Sequence, residues 1–497
     1  MAAKETQAAA AAAETTTTSE DSFLDQVVSA TKPKSDVQLD NAKKMLQTFV
    51  SQLMSGTATV SKDAEKQINY WIAEIDRLLS AQLNEIMHSE EFQKLEGSWR
   101  GLFYLVDKTE TSTQLKIRVL NTSKRDLLKD LEKASEFDQS VLFKKVYEEE
   151  YGTFGGAPYG CLIGDYEFTN HPEDMSLLER VGQVAAAAHA PFFTAAGANL
   201  FDLESFTEID SKRDLAKIFD NVEYAKWKSF RESEDSRYVG LCLPHILMRM
   251  PYGAKTKRVE TFNYEEDVDG RDHKKYLWGN AAYALGTRIT DSFAKCGWLA
   301  SIRGVEGGGL VEGLPTHTFK TDEGDVALKC PTEVAITDRR EKEFADLGFI
   351  PLVHCKGRDY AAFFAAQSAQ KPKLYNKDTA NANARLSTQL QYMLCVSRFA
   401  HYLKAMARDK IGSFMSRKAC ENWLNEWIET YKHPNPETAN QESLAKMPLA
   451  EARVDVREIP GRPGQYEAVA YLRPHFQLDA LNVSMRLVAQ LPPPKGG

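Results

Sequence analysis

The stretch CLIGDYEF, residues 161–168, decides the fold class. A short apolar run of this kind is typical of a buried β-strand. A helical pattern follows at residues 173–189, and a second apolar run, PFFTAAG, occupies residues 191–197. Such alternation predicts an α/β fold with mixed sheets. Further strands are predicted at 238–244, 298–304 and 348–355, and further helices at 276–295, 381–411 and 416–431.

Composition narrows the function classes. The 497 residues include 62 Lys and Arg against 70 Asp and Glu, which gives a net charge of −8. Nucleic-acid-binding proteins usually carry a basic excess, so this balance disfavours a nucleic-acid scaffold. No apolar run is long enough to span a bilayer, and the N-terminus lacks a secretion signal. The seven cysteines show no metal-binding or disulfide spacing, so we expect a cytoplasmic protein without metal or cofactor.

A glycine-rich stretch, RGVEGGGLVEG at residues 303–313, raises the possibility of a phosphate site. The stretch fits neither GxxxxGK[ST] nor GxGxxG, because Leu310 stands where the phosphate-binding lysine belongs. Glu306 and Glu312 would repel an anion. We therefore predict a sharp loop that permits a tight crossing, with both glutamates paired to basic residues nearby or across an interface. No nucleophile–base motif accompanies the loop, so no catalytic residue is predicted.

The N-terminal region divides into three parts. Residues 1–18 are an Ala/Thr-rich tail that we expect to be disordered, and residues 19–36 contain a short amphipathic helix. Its apolar stripe consists of Phe23, Leu24, Val27 and Val28. Residues 37–95 form a helical arm whose stripes exceed what one thin hairpin can cover, so another surface must complete the bundle. Its stripe residues include Leu46, Phe49, Val50, Trp71, Ile75 and Leu79.

The C-terminal region predicts strands at 451–459, 466–474 and 482–491. Strands at the end of a chain offer unpaired backbone groups to another molecule's strand. The candidate interchain residues are Val469, Tyr471, Val483, Met485 and Leu487.

Several long blocks resemble the large sheath subunit of the bacterial type VI secretion system, the TssC/VipB family. They include EGSWRGLFYLV (96–106), YGTFGGAPYGCLIGDYEF (151–168), IRGVEGGGLVEGLPTHTF (302–319) and LRPHFQLDALNVSMRLVAQLP (472–492). The resemblance implies a contractile-tail-sheath-like fold and a structural, non-enzymatic role. It divides the body into an outer and middle α/β domain at 96–325 and an inner domain at 326–497.

The resemblance also implies partners. Members pair with a small sheath subunit (TssB/VipA-like), through the 37–95 arm in this chain, and polymerise as a helical sheath around an inner tube protein (Hcp-like). The sheath stands on a baseplate at the cell envelope. Its contraction propels the inner tube and its spike out of the cell, and a AAA+ ATPase (ClpV-like) then dismantles it.

Three segments acquire roles from the resemblance. The helix at 22–31 is the site for the disassembly ATPase, and the C-terminal strands pair with strands of neighbouring subunits. The helix DRREKEFADLGF (338–349) faces the inner tube, with Asp338 and Glu341 capping its start and Gly348 beyond its end. Its tube-facing residues are Asp338, Arg339, Glu341, Lys342 and Asp346.

Two alternatives to the two-chain sheath stay open at this point. A single-chain phage-type tail sheath would need no small subunit, whereas an α/β enzyme would have a convergent site of titratable groups. The long N-terminal arm favours the two-chain system, in which we expect the chain expressed alone to aggregate.

Overall fold

The computed structural model describes residues 39–40, 43–44, 64–209, 214–321, 323–413, 415–460 and 466–478. Residues 1–78 and 79–497 form two separate compact units. The predicted helix at 22–31, the stripe residues Leu46, Phe49 and Val50, and the strand at 482–491 lie outside the described residues.

The described α-helices and strands alternate along much of the chain. The helices are α1 (Ala64–Met87), α2 (Glu90–Asp107), α3 (Lys124–Lys133), α4 (Val141–Phe143), α5 (Pro172–Ala188), α6 (Leu215–Ile218), α7 (Ala225–Glu232), α8 (Ala282–Cys296), α9 (Asp338–Asp346), α10 (Asp378–Ser387), α11 (Leu390–Asp409), α12 (Arg417–Glu429) and α13 (Gln441–Lys446). The strands are β1 (Leu162–Phe168), β2 (Phe192–Ala196), β3 (Val239–Leu243), β4 (Ile246–Leu247), β5 (Trp278–Gly279), β6 (Leu310–Val311), β7 (His317–Lys320), β8 (Val326–Lys329), β9 (Ile350–His354), β10 (Ala361–Phe363), β11 (Leu449–Glu458) and β12 (Tyr466–Pro474).

A six-stranded sheet in the order β1-β2-β3-β9-β10-β6 organises the second unit. The first four strands are parallel, and β10 runs antiparallel to both β9 and β6. Phe192 pairs with Val239 in register, and Cys242 pairs with Ile350. This arrangement confirms the predicted α/β class with a mixed sheet.

Helices cover both faces of this sheet. Successive strand residues point to opposite faces, so Phe192 joins one core cluster and Phe193 joins the other. Helices α5 and α7 supply Leu178 and Trp227 to the first cluster, whereas α8 and α11 cover the opposite face. Buried on both faces, the central strands read in sequence as continuous apolar runs, as parallel strands do.

A third core cluster lies under the C-terminal hairpin. Strands β11 and β12 pair antiparallel, with Val454 opposite Ala470, and β11 packs against α12. The cluster joins Trp298, Phe399 and Leu424 to Val454 and Val456 of the hairpin. The observed β12 has the bounds predicted from the sequence, and β11 begins two residues earlier than predicted.

One predicted strand needs correction. Residues 298–304 do not form a strand, because Trp298 and Ile302 are buried in core clusters by an irregular segment that pairs with no strand. The boundary predicted between residues 325 and 326 falls inside the β7–β8 hairpin, and strands from both sides share the six-stranded sheet. The sheet therefore joins the two predicted body domains.

Within the second unit, helix α2 packs against α8 through glycine. A Cβ atom on Gly101 would overlap the ring of Tyr283 in α8, and one on Gly97 would lie 3.1 Å from the carbonyl oxygen of Trp278. Alanine is the better helix former by about 1 kcal/mol. The absence of a side chain at these positions is therefore a packing requirement.

We expect Gly101→Ala to destabilise the protein by about 1–3 kcal/mol, since overpacking outweighs the gain in helix propensity. Urea unfolding of the full chain in its native assembly measures the change. Adding Tyr283→Ala should give less than the sum of the two single losses, because the overlap disappears. Lys94→Ala, on the exposed face of the same helix, is the control; equal effects of the Gly101 and Lys94 variants would contradict the packing argument.

Candidate assembly surfaces

Large apolar side chains point outward from α2. The helix buries Gly97, Gly101 and Leu105, so its other side faces solvent. We call this side the outer face of α2, formed by Leu95, Trp99, Phe103 and Val106. Trp99 is 66% exposed and Phe103 is 69% exposed. Contiguous exposed apolar surface of this kind marks a protein–protein interface.

A buried ion network sets the rotation of α2. Arg249 donates from Nε to Glu96 Oε1 at 2.8 Å, and from Nη1 and Nη2 to the carboxylate of Glu266 at 2.6 and 3.0 Å. Burial would lower the pKa of Arg249, but its bonds to Glu266 and Glu96 raise it above its usual value. Because Glu96 must reach this buried cation, its helix cannot turn the outer face inward.

Helix α1 also exposes apolar residues. In its first part, which belongs to the first unit, Ile68, Ile72, Ile75 and Leu78 are exposed. In its last part, Leu79 and Ile86 are exposed, and Asn84 Oδ1 accepts a hydrogen bond from Tyr264 at 2.7 Å. Among the residues of this chain that are predicted to bind the small subunit, Ile75 and Leu79 are thus exposed and Trp71 is half-buried.

Sequence reasoning missed the outer face of α2. The predicted arm ended at residue 95, whereas Trp99, Phe103 and Val106 lie beyond it. Their helical spacing, together with glycines at 97 and 101 on the other side, was a usable signal. The large apolar stripe of an amphipathic helix usually faces the core. In α2 the small residues face the core instead, and the large apolar residues face solvent.

Helix α9 presents mainly charge. Asp338, Arg339, Lys342 and Asp346 are exposed, and Glu341 is half-buried. Burial raises the pKa of Glu341, and the nearby charge of Arg303 opposes that shift. The predicted cap needs correction, because Thr337 is the N-cap residue and Asp338 is the first helical residue. Phe344 is buried as expected, and Gly348 follows the helix with a φ of +86°.

The C-terminal hairpin has one covered edge. On β11, the backbone N–H and C=O of Val454 bond to the side chain of Asn425, at 2.9 and 2.7 Å, and the N–H of Val456 donates to Glu421. No strand of the described part pairs with the outer edge of β12. Of the predicted interchain residues, Val469 is half-buried and Tyr471 is exposed on this strand. Val483, Met485 and Leu487 lie outside the described residues.

The glycine-rich loop is a closed bend against β10. Gly304 donates to Phe363 at 2.7 Å, and Phe363 donates to Gly309 at 3.0 Å. Gly308 has a φ of +90°, and a Cβ on it would overlap the carbonyl of Ser301. Arg303 also donates to the carbonyl oxygen of Leu478 at 2.7 Å, so this loop holds the start of the C-terminal segment.

The two glutamates of that loop have no basic partner among the described residues, and pairing across an interface stays a prediction. Glu306 and Glu312 are both exposed, and neither forms an ion pair with a described residue. The predicted pairing with basic residues is therefore not found within the described chain.

A second ion network, in which Glu333 is buried, His245 is half-buried and Glu167 is exposed, lies at the carboxyl end of β3. His245 Nδ1 lies 2.5 Å from Glu333 Oε2, and His245 Nε2 lies 2.7 Å from Glu167 Oε1. His273 and Ser205 also bond to Glu333, at 3.2 and 3.0 Å. Burial alone would lower the pKa of His245, but the two carboxylates raise it to about 10. The imidazole is therefore charged at neutral pH and ties β1 to the segment before α9.

Metal-binding groups and membrane-spanning helices are absent from the described residues. There, no group of three or more His, Cys, Asp or Glu side chains is arranged to hold a metal ion. No helix in the described ranges is long and apolar enough to cross a membrane. Burial raises the pKa of both Cys161 and Cys395 to about 12, which makes either thiol a poor nucleophile.

Comparison with known sequences gives three matches. Residues 69–370 match the family model described as EvpB/VC_A0108, tail sheath N-terminal domain. Residues 379–491 match the model described as EvpB/VC_A0108, tail sheath gpW/gp25-like domain. The type VI secretion system sheath protein TssC1 of Pseudomonas aeruginosa is 50% identical over 475 residues, which is 95% of both chains.

Solved structures of contractile assemblies are distantly similar. A chain of the anti-feeding prophage baseplate is 8% identical with a TM-score of 0.34, and a chain of that prophage's contracted helical sheath is 10% identical with a TM-score of 0.33. Each match covers 63% of this chain and 66% of the other.

The His245 network predicts a pH-dependent contribution to stability. The folded pKa of His245, about 10, exceeds the ordinary histidine value of 6.5, so its contribution is complete below pH 6.5 and is lost as pH rises towards 10. Because only Glu333 of its two partners is buried, His245→Gln should lower the free energy of unfolding by about 1–3 kcal/mol near pH 6 and by less as pH rises.

Urea unfolding between pH 6 and 10 measures this difference. His171→Asn, which removes an exposed imidazole but keeps a side chain that can accept the N-cap hydrogen bond from Glu173, is the control and should leave the midpoint nearly unchanged. A His245→Gln deficit that is the same at pH 6 and pH 10 would show that His245 is neutral in the folded protein.

Proposed function

The chain belongs to the EvpB/VC_A0108 tail sheath family, and on that premise we propose that it is the large subunit of a two-chain type VI secretion sheath. Both family models and the TssC1 relative describe sheath proteins, so the protein is a structural subunit of a contractile sheath. In the proposed function it pairs with a small sheath subunit, polymerises around an inner tube and contracts to drive that tube out of the cell. It acts in the cytoplasm as a building unit without catalysis.

The outer face of α2 carries the proposal of a second chain. Four large apolar side chains on one helix, with further ones on α1, exceed what a monomer of this size usually exposes in one place. Burying Trp99 and Phe103 alone gains roughly 3–6 kcal/mol before ordering costs. A helix-rich small subunit would supply the covering surface. This observation favours the two-chain sheath over the single-chain phage-type sheath.

Self-assembly is proposed through the edge of β12. Because β11 is capped by α12 side chains, an added strand must come to β12. The segment from residue 479 onward leaves from the point where Arg303 holds Leu478, and its apolar alternation at 482–491 suits a strand donated to a neighbour. A strand given to one neighbour and received from another is a heterologous contact, which produces open helical polymers.

Helix α9 is proposed to face the inner tube. Its exposed residues carry both signs of charge, and exposed ion pairs are individually worth about 0–1 kcal/mol. Such contacts hold a tube in register through many copies and are readily exchanged for water when the sheath contracts.

The remaining partners act when the sheath begins to assemble and after it has contracted. We propose that the baseplate starts the polymer at the envelope. A AAA+ ATPase dismantles the contracted sheath through the helix at 22–31, with Phe23, Leu24, Val27 and Val28 as anchors. One short helix binds weakly, so capture depends on the many copies displayed along a filament.

Co-expression with the small sheath subunit tests the proposal. We expect the wild-type pair to form long striated tubes in negative-stain electron microscopy. Phe103→Asp should reduce the co-purified small subunit at least ten-fold, because a buried charge without a partner is strongly unfavourable. Val222 is an apolar residue outside α2 that is 85% exposed. Val222→Asp is therefore the matched control, and this variant should assemble normally.

Two outcomes would contradict the proposal. Dispersed wild-type particles with no tubes would contradict the sheath function itself. Normal pairing of the Phe103→Asp variant would contradict the assignment of the outer face of α2 to the small subunit.

Removal of residues 482–497 tests the strand exchange. The truncated chain should still pair with the small subunit, because α1 and α2 are intact, but it should form no tubes. Pull-down and electron microscopy on the same preparation separate the two effects. Tubes of ordinary length from the truncated chain would rule out a strand contribution from this segment.

A further inference from the structure

A straight segment without secondary structure lies between α2 and α3. Residues 115–123, LKIRVLNTS, run without a turn, bend or ladder partner up to the start of α3. Leu115 and Ile117 are half-buried, whereas Lys116 and Arg118 are exposed. Alternation of apolar and charged residues with period two is the pattern of a β-strand. The segment thus has the sequence of a strand and lacks the partner that would make it one.

Side-chain bonds hold this segment at several points. Ser112 Oγ accepts from the N–H groups of Gln114 and Leu115, at 3.2 and 3.1 Å, and closes a turn before it. In its middle, the guanidinium of Arg118 bonds to the carboxylate of Glu150. At its end, Tyr166 donates its hydroxyl hydrogen to the carbonyl oxygen of Thr122 at 2.9 Å. These bonds therefore anchor the segment before any strand pairs with it.

The backbone between these anchors is unpaired. From 116 to 121, no N–H or C=O group bonds to a described residue. An extended, anchored backbone with open donors and acceptors is the template that a strand from another chain extends. Because this segment is already ordered, binding of a strand would not include the entropy cost of ordering the segment.

One of its two edges is the better candidate. In a strand, the N–H and C=O of one residue point to the same edge, and successive residues point to opposite edges. The carbonyl of Thr122 points towards Tyr166, so Lys116, Arg118 and Leu120 share that occupied edge. The groups of Ile117, Val119 and Asn121 point to the other edge, which is open.

Charge selects the kind of strand. A second copy of this segment paired antiparallel in full overlap would place Arg118 against Arg118. The chain's own C-terminal segment, 482–491, contains Arg486 and no acidic residue. Like charges directly opposite each other destabilise a sheet, whereas opposite charges stabilise it. Arg118 is already paired with Glu150, so Lys116 is the cation that an incoming strand would face. An acidic residue opposite Lys116 fits, with apolar residues against Val119 and Leu120.

We propose that residues 115–121 are a docking strand for an extended, acid-bearing segment of the small sheath subunit. The outer face of α2 ends at Val106, nine residues before the docking strand begins at Leu115. One partner can therefore cover both, with a helix on the outer face of α2 and a strand on the docking strand. This inference rests on the proposed two-chain sheath for the identity of the partner.

Two adjacent proline variants test the docking strand in the co-expressed pair. Val119 and Leu120 are 67% and 52% exposed, and proline suits an extended backbone at either position. Val119→Pro removes an N–H from the open edge and should reduce the co-purified small subunit at least ten-fold. Leu120→Pro removes one from the other edge and should leave the yield within two-fold. Loss with both variants, or with neither, would overturn the proposal.

Hydrogen–deuterium exchange of the wild-type assembly gives a second measurement that needs no variant. The amides of Ile117, Val119 and Asn121 should exchange at least 100-fold more slowly than those of an unstructured peptide. Rapid exchange at all three would overturn the docking strand even if tubes form, and the sheath function would then stand without it. Absence of tubes would instead contradict the sheath function.

The chain alone supplies the last comparison. Fused to a soluble carrier and free of the small subunit, the full chain should show rapid exchange at Ile117, Val119 and Asn121. Equal protection in the fused chain and in the assembly would mean that the added strand comes from this chain itself, which would overturn the proposed partner.

Discussion

The close packing of α2 on Tyr283 is the constraint on which the assembly surfaces depend. Glycine at 101 lets the helix approach the ring directly, and the large side chains of α2 must then lie on the opposite side. A folded monomer would gain by burying Trp99 and Phe103, yet this geometry forbids it. The free energy that the monomer forgoes is available only when another chain covers the outer face of α2. Folding of this chain and pairing with a second chain are therefore linked in one structure.

The buried Arg249 network makes that arrangement specific. A buried arginine between two carboxylates is weak support for stability, because desolvation offsets most of the attraction. Its geometry is demanding, however, since Glu96 and Glu266 must both reach one planar guanidinium. A rotation of α2 that hid Phe103 would leave this cation and two carboxylates unpaired in the interior. The network thus penalises the alternative packing more than it stabilises the native one.

The sequence predicted those parts of the fold in which local pattern and tertiary role coincide. The strands β2, β3 and β9 are short apolar runs because both faces of the sheet are covered. Strand β1, expected to be buried, is an edge strand that exposes Asp165 and Glu167, and β12 alternates because one face is open. Residues 298–304 show the limit, since their apolar residues are buried without pairing to a strand. The docking strand shows the reverse, a strand pattern whose partner is in no described part of this chain.

For the candidate sites, the sequence predicted exposure better than position. Ile75, Leu79 and four of the charged residues of α9 are exposed. The N-cap of α9 is Thr337, however, and not Asp338 as predicted. The outer face of α2 could not be assigned from periodicity alone, because a pattern of four large and two small residues does not say which side faces the core. Tyr283, which decides the matter, is 182 residues away from Gly101 along the chain.

The chemistry of the surfaces divides according to what contraction requires of them. A contact that must persist through the stroke benefits from apolar burial, whose strength grows with area and is insensitive to small changes of angle. The outer face of α2 has that character. A contact that must be released benefits from exposed charge, since water replaces it at little cost, and α9 has that character. Under the proposed function, surface composition would set the order of release: apolar burial would keep the pair of subunits joined while exposed charge lets the grip on the inner tube go.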